Sequence, residues 1–142
     1  MKSKTVLIAL QDDRWNSSLS TFFHENGYRV ETGKVVSDLI RKVRNGKIQV
    51  IVLDDEIEGV KACDLVSLFK KINEKAQIIV VSSETSLGLA KRLRGAGIFY
   101  HAMKPIDLDE IKSAVECAFE KIERESKKEG FIPFFIPGRV PA

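Results

Sequence analysis

Short apolar runs alternate along this chain with longer segments of helical periodicity, and few folds accommodate that order. The strongest runs are residues 6–10, 50–53 and 78–81, and weaker ones cover residues 28–31 and 98–102. Apolar strands that alternate with helices are typical of a parallel sheet covered on both faces. We therefore predict one α/β domain, in which a doubly wound five-stranded parallel sheet packs against five helices.

Two of the predicted helices end in the same pair of residues, asparagine followed by glycine. Asn26-Gly27 follows the first helix and Asn45-Gly46 follows the second, and both pairs favour a left-handed stop. Ser37 is the predicted N-cap of the second helix, because its hydroxyl can accept a hydrogen bond from a free backbone N–H. These signals place the helix boundaries between the apolar runs.

The fifth helix has a well-marked start and a gradual end. Asp107 is its predicted N-cap, with Glu110 three residues later as in a capping box. Its apolar stripe fades in the charged stretch at residues 123–129. We expect the folded domain to span residues 1–127 and residues 128–142 to be an apolar, proline-rich tail or linker. The prolines predict extended chain, not helix, from residue 131 onward.

Charge and cysteine content exclude several classes of function. The net charge is only +3, and basic and acidic residues are interspersed, so direct nucleic-acid binding is not predicted. Cys63 and Cys117 are far apart, which argues against a disulfide framework, a zinc site or a dithiol centre. The apolar run near the N-terminus is too short for a signal peptide and meets Asp12 and Asp13 at once. We expect a cytoplasmic protein with no membrane partner.

Four of the predicted strands end in residues that are candidates for a site, because ligands bind at the carboxyl ends of the strands in sheets of this kind. They are residues 10–13, Asp54 with Asp55, Ser82 with Ser83, and Lys104 with Pro105. A carboxylate nucleophile, a hydroxyl that bonds a phosphoryl oxygen and an ammonium that neutralises charge suit phosphoryl transfer. Asp54 is the preferred acceptor because it directly follows the apolar run, whereas Asp55, the rival, points the other way from the strand.

These residues resemble the receiver domains of two-component response regulators, and the resemblance covers nearly all of residues 4–125. The matching segments are Asn26-Gly27-Tyr28, the strand leading into Asp54, Ser82-Ser83, Gly97 and Lys104-Pro105. The resemblance implies a flavodoxin-like strand order 2-1-3-4-5 and a cis Lys104–Pro105 peptide bond. It also implies that a sensor histidine kinase or phosphotransfer protein phosphorylates Asp54, that Ser82 is the switch hydroxyl, and that Lys104 contacts the phosphate.

The sequence departs from the receiver pattern at the metal site. Receivers place two acidic residues after the first strand to hold Mg²⁺, and the gapless match puts Leu10 and Gln11 there. Leucine supplies no ligand and glutamine only a neutral carbonyl, so we expect weakened Mg²⁺ binding that retains Asp54. Asp12 is a weak candidate ligand, but an N-capping role at the first helix is favoured for Asp12 and Asp13.

Two further departures affect the switch and the loop after Asp54. His101 takes the place of the aromatic switch residue, and it is interpreted as a half-buried packing residue or as a switch with an added pH input. Glu58 replaces the proline usual in the turn after Asp54. The acidic Asp55, Glu56 and Glu58 are expected to repel a phosphodonor and a bound phosphoryl group.

Three functions follow from these observations. The first is a phosphorylatable receiver, not a metabolic enzyme, whose Asp54 controls an interaction surface that can form a homodimer through the fourth helix, the fifth strand and the fifth helix. The second is a degenerate receiver that serves as an interaction or dimerisation module without phosphorylation. The third is a flavin or nucleotide binder, but residues 11–15 contain no glycine and two acids, which is hostile to a phosphate cradle.

Overall fold

The computed structural model describes the backbone of residues 3–84 and 86–135 and the side chains of those up to residue 127. The strands are β1 (Thr5–Ala9), β2 (Arg29–Thr32), β3 (Val50–Asp54), β4 (Glu56–Ile57), β5 (Val60–Lys61), β6 (Gln77–Ser82) and β7 (Tyr100–Met103). The helices are α1 (Asp13–Glu25), α2 (Val36–Arg44), α3 (Ala62–Ile72), α4 (Leu87–Ala96) and α5 (Leu108–Phe135).

Five of the strands form one parallel sheet, in the order β2-β1-β3-β6-β7. This arrangement confirms the predicted doubly wound sheet and the strand order implied by the receiver resemblance. The register pairs Asp54 at the end of β3 with Val81 in β6, and Ser82 with Met103 in β7. The ends of the three strands therefore bring Asp54, Ser82 and the residue before Lys104 to one edge of the sheet.

Each face of the sheet carries its own apolar core. On one face, β-strand residues pack with α1 and α5, through buried side chains that include Leu19, Phe23 and Val115. On the other face they pack with α2, α3 and α4, through residues that include Leu39 and Phe69. Because β1, β3 and β6 are buried along their whole length, the site at their carboxyl ends rests on a rigid base.

A short hairpin, formed by β4 and β5, was absent from the predicted elements. Glu56 pairs with Lys61 and Ile57 with Val60, and the two loop residues both have positive φ, 51° at Glu58 and 81° at Gly59. Two consecutive left-handed residues are the mark of a type I′ hairpin turn. Proline cannot adopt such a φ, so the proline of the receiver pattern would not fit this turn at position 58.

The start of α2 differs from the predicted one. The N-cap residue is Val35, which makes no side-chain cap, and Ser37 lies inside the first turn, so the prediction of a Ser37 cap was wrong. Oε1 of Glu58 accepts a hydrogen bond from the backbone N–H of Val36 at 2.8 Å. A side chain from the hairpin, 22 residues away in sequence, therefore performs the capping.

The fifth helix begins as predicted and ends later than predicted. Oδ1 of Asp107 accepts from the N–H groups of Asp109 and Glu110, at 3.0 and 3.4 Å. The helix continues to Phe135, so the prediction of extended chain is wrong for residues 131–135, and residues 136–142 lie outside the described part. The charged stretch at 123–129 is rich in Glu and Lys, which are good helix formers, so the helix continues beyond the predicted boundary. The domain boundary at residue 127 stays a prediction.

Within the described ranges, no helix combines the length and the apolar character needed to cross a bilayer.

Candidate functional site

The centre of the site is a buried ion pair between Asp54 and Lys104. The carboxylate of Asp54 is 5% exposed, and the Lys104 ammonium lies 2.7 Å from its Oδ1. The backbone N–H of Asp55 also donates to Oδ1, at 2.8 Å, and the backbone N–H of Gln11 donates to Oδ2 at 2.8 Å. The Lys104–Pro105 peptide bond is cis, as the receiver resemblance implied. Asp54 is therefore a carboxylate surrounded by donors.

Those donors keep Asp54 ionised. Burial by itself raises the pKa of the Asp54 carboxyl, but hydrogen bonds from Gln11, Lys104 and Asp55 and the positive charge of Lys104 outweigh it. The net pKa lies below the ordinary value of 3.8. At neutral pH the group is an anion, which is the form that can act as a nucleophile or attract a cation.

Asp55 has different partners from Asp54. Its Oδ2 accepts hydrogen bonds from the backbone N–H and the hydroxyl of Ser83, at 3.3 and 3.4 Å, and its Oδ1 lies 3.9 Å from the Lys104 ammonium. The Asp55 side chain is 32% exposed, against 5% for Asp54. The structure thus separates the two acids into one buried residue that contacts Lys104 directly and one at the rim.

Ser82 lies at the end of β6 and is fully buried. Its Oγ accepts the backbone N–H of Glu84 at 3.0 Å and donates to the Glu84 carbonyl at 3.5 Å. A pocket of about 500 Å³ adjoins this loop, and its lining includes Ser82, Asp55, Lys61 and Arg92. The structure brings Ser82 to the same sheet edge as Asp54 and Lys104, with its hydroxyl engaged by the loop that follows.

Gln11 contributes more to the site than its sequence position indicated. Besides the backbone bond to Asp54, its side-chain Nε2 donates to the backbone carbonyl of Glu56 in the hairpin. The preceding Leu10 is 1% exposed. The side chain of the buried Asn16 accepts a hydrogen bond from the Leu10 N–H and donates one to the Leu10 carbonyl. Sequence reasoning did not identify Asn16, since a lone asparagine near a helix start carries no distinctive signal.

Asp12 is engaged outside the central pair. Its Oδ1 accepts the backbone N–H of Arg14 at 2.9 Å, as the N-cap of α1, and its Oδ2 pairs with the Arg14 guanidinium at 3.2 Å. The hydrogen bond from the Arg14 side chain holds the pKa of Asp12 below its ordinary value. Asp13 lies in the first turn of α1 and pairs with Lys34. These contacts agree with the sequence prediction that Asp12 and Asp13 act at the N-terminal end of α1.

The residues around Asp54 do not fit the magnesium site that the receiver resemblance implies. Magnesium requires hard oxygen ligands in near-octahedral geometry. Leu10 has an apolar side chain, and Gln11 directs an N–H donor, not an oxygen, at the Glu56 carbonyl. Among the described residues, no three His, Cys, Asp or Glu side chains are grouped closely enough to hold a metal ion.

His101 lies on β7, next to Val80 of β6, and is half-buried. Its Nε2 is buried and has no hydrogen-bond partner in the described part of the chain. This environment corresponds to the packing interpretation of His101. Its role as a switch residue stays a prediction.

The acidic hairpin beside the site is partly neutralised by its own contacts. Lys61 lies 2.8 Å from Oε1 of Glu56, and Glu58 is bound to the first turn of α2. The expected repulsion of a phosphodonor is therefore reduced at Glu56, where a cation from the same hairpin stands next to the carboxylate.

Comparisons with known proteins agree with this geometry. A family model described as the response regulator receiver domain matches residues 6–116. The transcriptional regulator NtrC of Azospirillum brasilense is 32% identical over 118 residues, and the match covers 83% of this chain and 24% of NtrC. The chain thus spans about a quarter of that relative. Sporulation initiation phosphotransferase F of Bacillus subtilis is 26% identical over 121 residues, with 82% of this chain and 94% of that protein covered.

Solved structures show the same fold. A CheY-like receiver domain from Methanospirillum hungatei superposes with a TM-score of 0.82 at 20% identity, and covers 87% of this chain and 99% of that one. The beryllofluoride-activated NtrC4 receiver domain dimer gives a TM-score of 0.77 at 24% identity, covering 83% and 98%. With the family model matching well over half of the chain, this protein belongs to the response-regulator receiver domain family of two-component signalling.

Proposed function

We propose that this receiver domain accepts a phosphoryl group on Asp54 and uses it to switch a protein–protein interaction surface. The observation that carries the proposal is the contact between Lys104 Nζ and Asp54 Oδ1, 2.7 Å, at a carboxylate that is 5% exposed. A buried carboxylate with a cation at its side is preorganised to take part in phosphoryl transfer, because the cation offsets the charge that the phosphoryl group brings.

The donor of this group is a phosphohistidine on a sensor histidine kinase or a phosphotransfer protein. An oxygen of the Asp54 carboxylate attacks phosphorus, the P–N bond breaks, and the imidazole nitrogen leaves with the bonding electron pair and takes up a proton. Lys104 neutralises charge on the phosphoryl oxygens during this step. The chain acts as acceptor and not as a metabolic enzyme, because each transfer modifies its own side chain.

The surface that reads the modification is formed by α4, β7 and α5. Leu87 at the start of α4 is 69% exposed and Tyr100 on β7 is 37% exposed, so each presents an apolar side chain to a partner. β7 is hydrogen-bonded to β6, which ends in Ser82. A change at the Ser82 hydroxyl therefore reaches the surface at β7 through the pairing of these two strands. The NtrC4 receiver, a structural neighbour, is a dimer in its beryllofluoride-activated form. The partner that we propose is a second copy of this chain, which would form a homodimer through α4, β7 and α5.

The test is intact-mass analysis after incubation with phosphoramidate or with a phosphorylated phosphotransfer protein. We expect one added phosphoryl group on the wild type and on Asp55→Asn, and none on Asp54→Asn. Ser82→Ala is expected to accept the group but to lose the amide-shift response in α4 and β7. Incorporation that survives in Asp54→Asn and disappears in Asp55→Asn would transfer the role to Asp55.

A second function is favoured by the residues beside Asp54. Leu10 and Gln11 replace the acidic pair of related receivers, and they are characteristic of a degenerate receiver that serves as an interaction or dimerisation module without phosphorylation. The absence of incorporation in the wild type, together with an oligomeric state that does not change with phosphodonor, would favour this function over the first.

A further inference from the structure

We propose that the Gln11 carboxamide stands in place of a divalent cation, so that the resting state of this receiver site is assembled without magnesium. Gln11 binds two oxygens that belong to different elements. Its backbone N–H donates to Oδ2 of Asp54 at 2.8 Å, and its side-chain Nε2 donates to the Glu56 carbonyl. A single residue therefore connects the loop after β1 to the end of β3 and to the hairpin.

The chemistry of the carboxamide determines which of its atoms faces Glu56. A backbone carbonyl can only accept a hydrogen bond, so the nitrogen of Gln11 must be directed at it. That nitrogen has no lone pair to offer a metal ion. A cation bound between Asp54 and Glu56 would have to displace this donor and bind both oxygens in its place.

The neighbouring Leu10 offers no replacement ligand. The Leu10 side chain packs in the core of the α1 and α5 face. Its carbonyl accepts from Nδ2 of Asn16 at 2.6 Å, and its N–H donates to Oδ1 of Asn16 at 3.1 Å. Asn16 is itself buried, with 8% exposure, so this arrangement is held inside the fold. The Asn16 carboxamide thus binds backbone groups of the loop after β1, and the Gln11 carboxamide binds the Glu56 carbonyl in the hairpin.

The charge of the buried Asp54 carboxylate is balanced without a metal ion. An acidic pair at positions 10 and 11 would add two negative charges next to Asp54, and a divalent cation would offset them. Leu10 and Gln11 remove both negative charges. Asp54 and Lys104 then form a pair that is neutral by itself, at 2.7 Å. Because a buried anion is costly unless it is paired, this neutrality permits the site to form in the absence of metal.

The inference concerns the same site as the proposed function, but it does not require that Asp54 be phosphorylated. The experiment is a magnesium titration to about 20 mM, followed by backbone amide shifts and calorimetry, since Mg²⁺ bound by one or two carboxylates is held weakly. The proteins are the wild type, Gln11→Asp, and Ser18→Asp. Ser18 is exposed on α1, so its variant adds the same charge away from the site.

We expect no saturable shift at residues 11 and 54–56 in the wild type or in Ser18→Asp. Gln11→Asp is expected to gain a saturable magnesium site whose Kd is at least tenfold lower than any value that fits the wild-type data. Saturable wild-type binding at these residues in the low millimolar range would overturn the inference. So would a Gln11→Asp variant that binds no better than the Ser18→Asp control.

A second measurement, made without metal, tests whether the Gln11 side chain stabilises the hairpin through its hydrogen bond to the Glu56 carbonyl. In Gln11→Ala, amide hydrogen exchange across the hairpin of β4 and β5 is expected to rise several-fold, because the bond to the Glu56 carbonyl is lost. Unchanged exchange there would show that Gln11 does not hold the hairpin. Phosphoryl incorporation is measured separately, so a failure of the proposed function and a failure of this inference are distinguishable.

Discussion

The Lys104 ammonium lies 2.7 Å from Oδ1 of Asp54, and the two side chains differ in exposure, 33% for the lysine and 5% for the aspartate. The cation reaches the buried anion from the solvent side. Because the carboxylate is the more buried of the two groups, removal of Lys104 leaves a buried negative charge without its cation.

Lys104→Met should destabilise the domain by about 2 kcal/mol, because the buried Asp54 carboxylate loses its only close cation among the described residues. Urea unfolding at pH 7 measures the change. Lys91→Met, at an exposed lysine of α4, is the matched control and should change the free energy of unfolding by less than about 0.5 kcal/mol. Equal effects of the two variants would mean that the ion pair contributes nothing to stability.

The pKa of Asp54 predicts a dependence of stability on pH. Its pKa in the folded state is lowered from 3.8, so Asp54 contributes stability that is present above about pH 4 and is lost as the pH falls through the folded-state value. Unfolding free energies of the wild type and Asp54→Asn should differ by a constant amount from pH 7 to 5. Below pH 4 the wild type should lose stability relative to the variant, because the other carboxylates are common to both. A wild-type advantage that grows on acidification would contradict the lowered pKa.

Glu58→Pro should destabilise the domain by at least about 2 kcal/mol. Proline requires a φ near −65°, whereas Glu58 has a φ of 51°, and the Glu58 cap on Val36 would also be lost. Glu58→Gly loses the same cap but suits the positive φ, so it separates the two effects and should cost no more than about 1 kcal/mol. Thermal and urea unfolding report the order of stability. Equal losses for proline and glycine would show that the turn is not left-handed.

Asn16→Ala should cost about 2 kcal/mol, since it leaves both the N–H and the carbonyl of Leu10 without their buried partner. The loop after β1 should also become more mobile, with faster amide exchange at Leu10 and Gln11. Ser18→Ala on the same helix is a suitable comparison, because Ser18 is exposed. A loss confined to less than about 0.5 kcal/mol would indicate that water replaces the Asn16 carboxamide.

Much of the fold was predictable because its signals are local. Continuous apolar runs such as residues 50–53 give buried parallel strands, and the Asp107 cap was recognised from spacing that involves only one helical turn. The meeting of Asp54 and Lys104 was expected from the rule that parallel strands carry their carboxyl ends to one edge. The end of α5 was not predicted, because its signals conflict: good helix formers precede residue 130 and a proline follows at 133.

What the chain sequence determined by itself was the order of its elements and the kinds of side chain at the edge of the sheet, because backbone periodicity and residue chemistry act over a few neighbours. Only the tertiary structure decided the partners. Gln11 binds Glu56 across 45 residues, and Glu58 caps α2 across 22. Such pairings depend on where separate loops lie in space, and a side chain that can donate or accept has no local preference among distant partners.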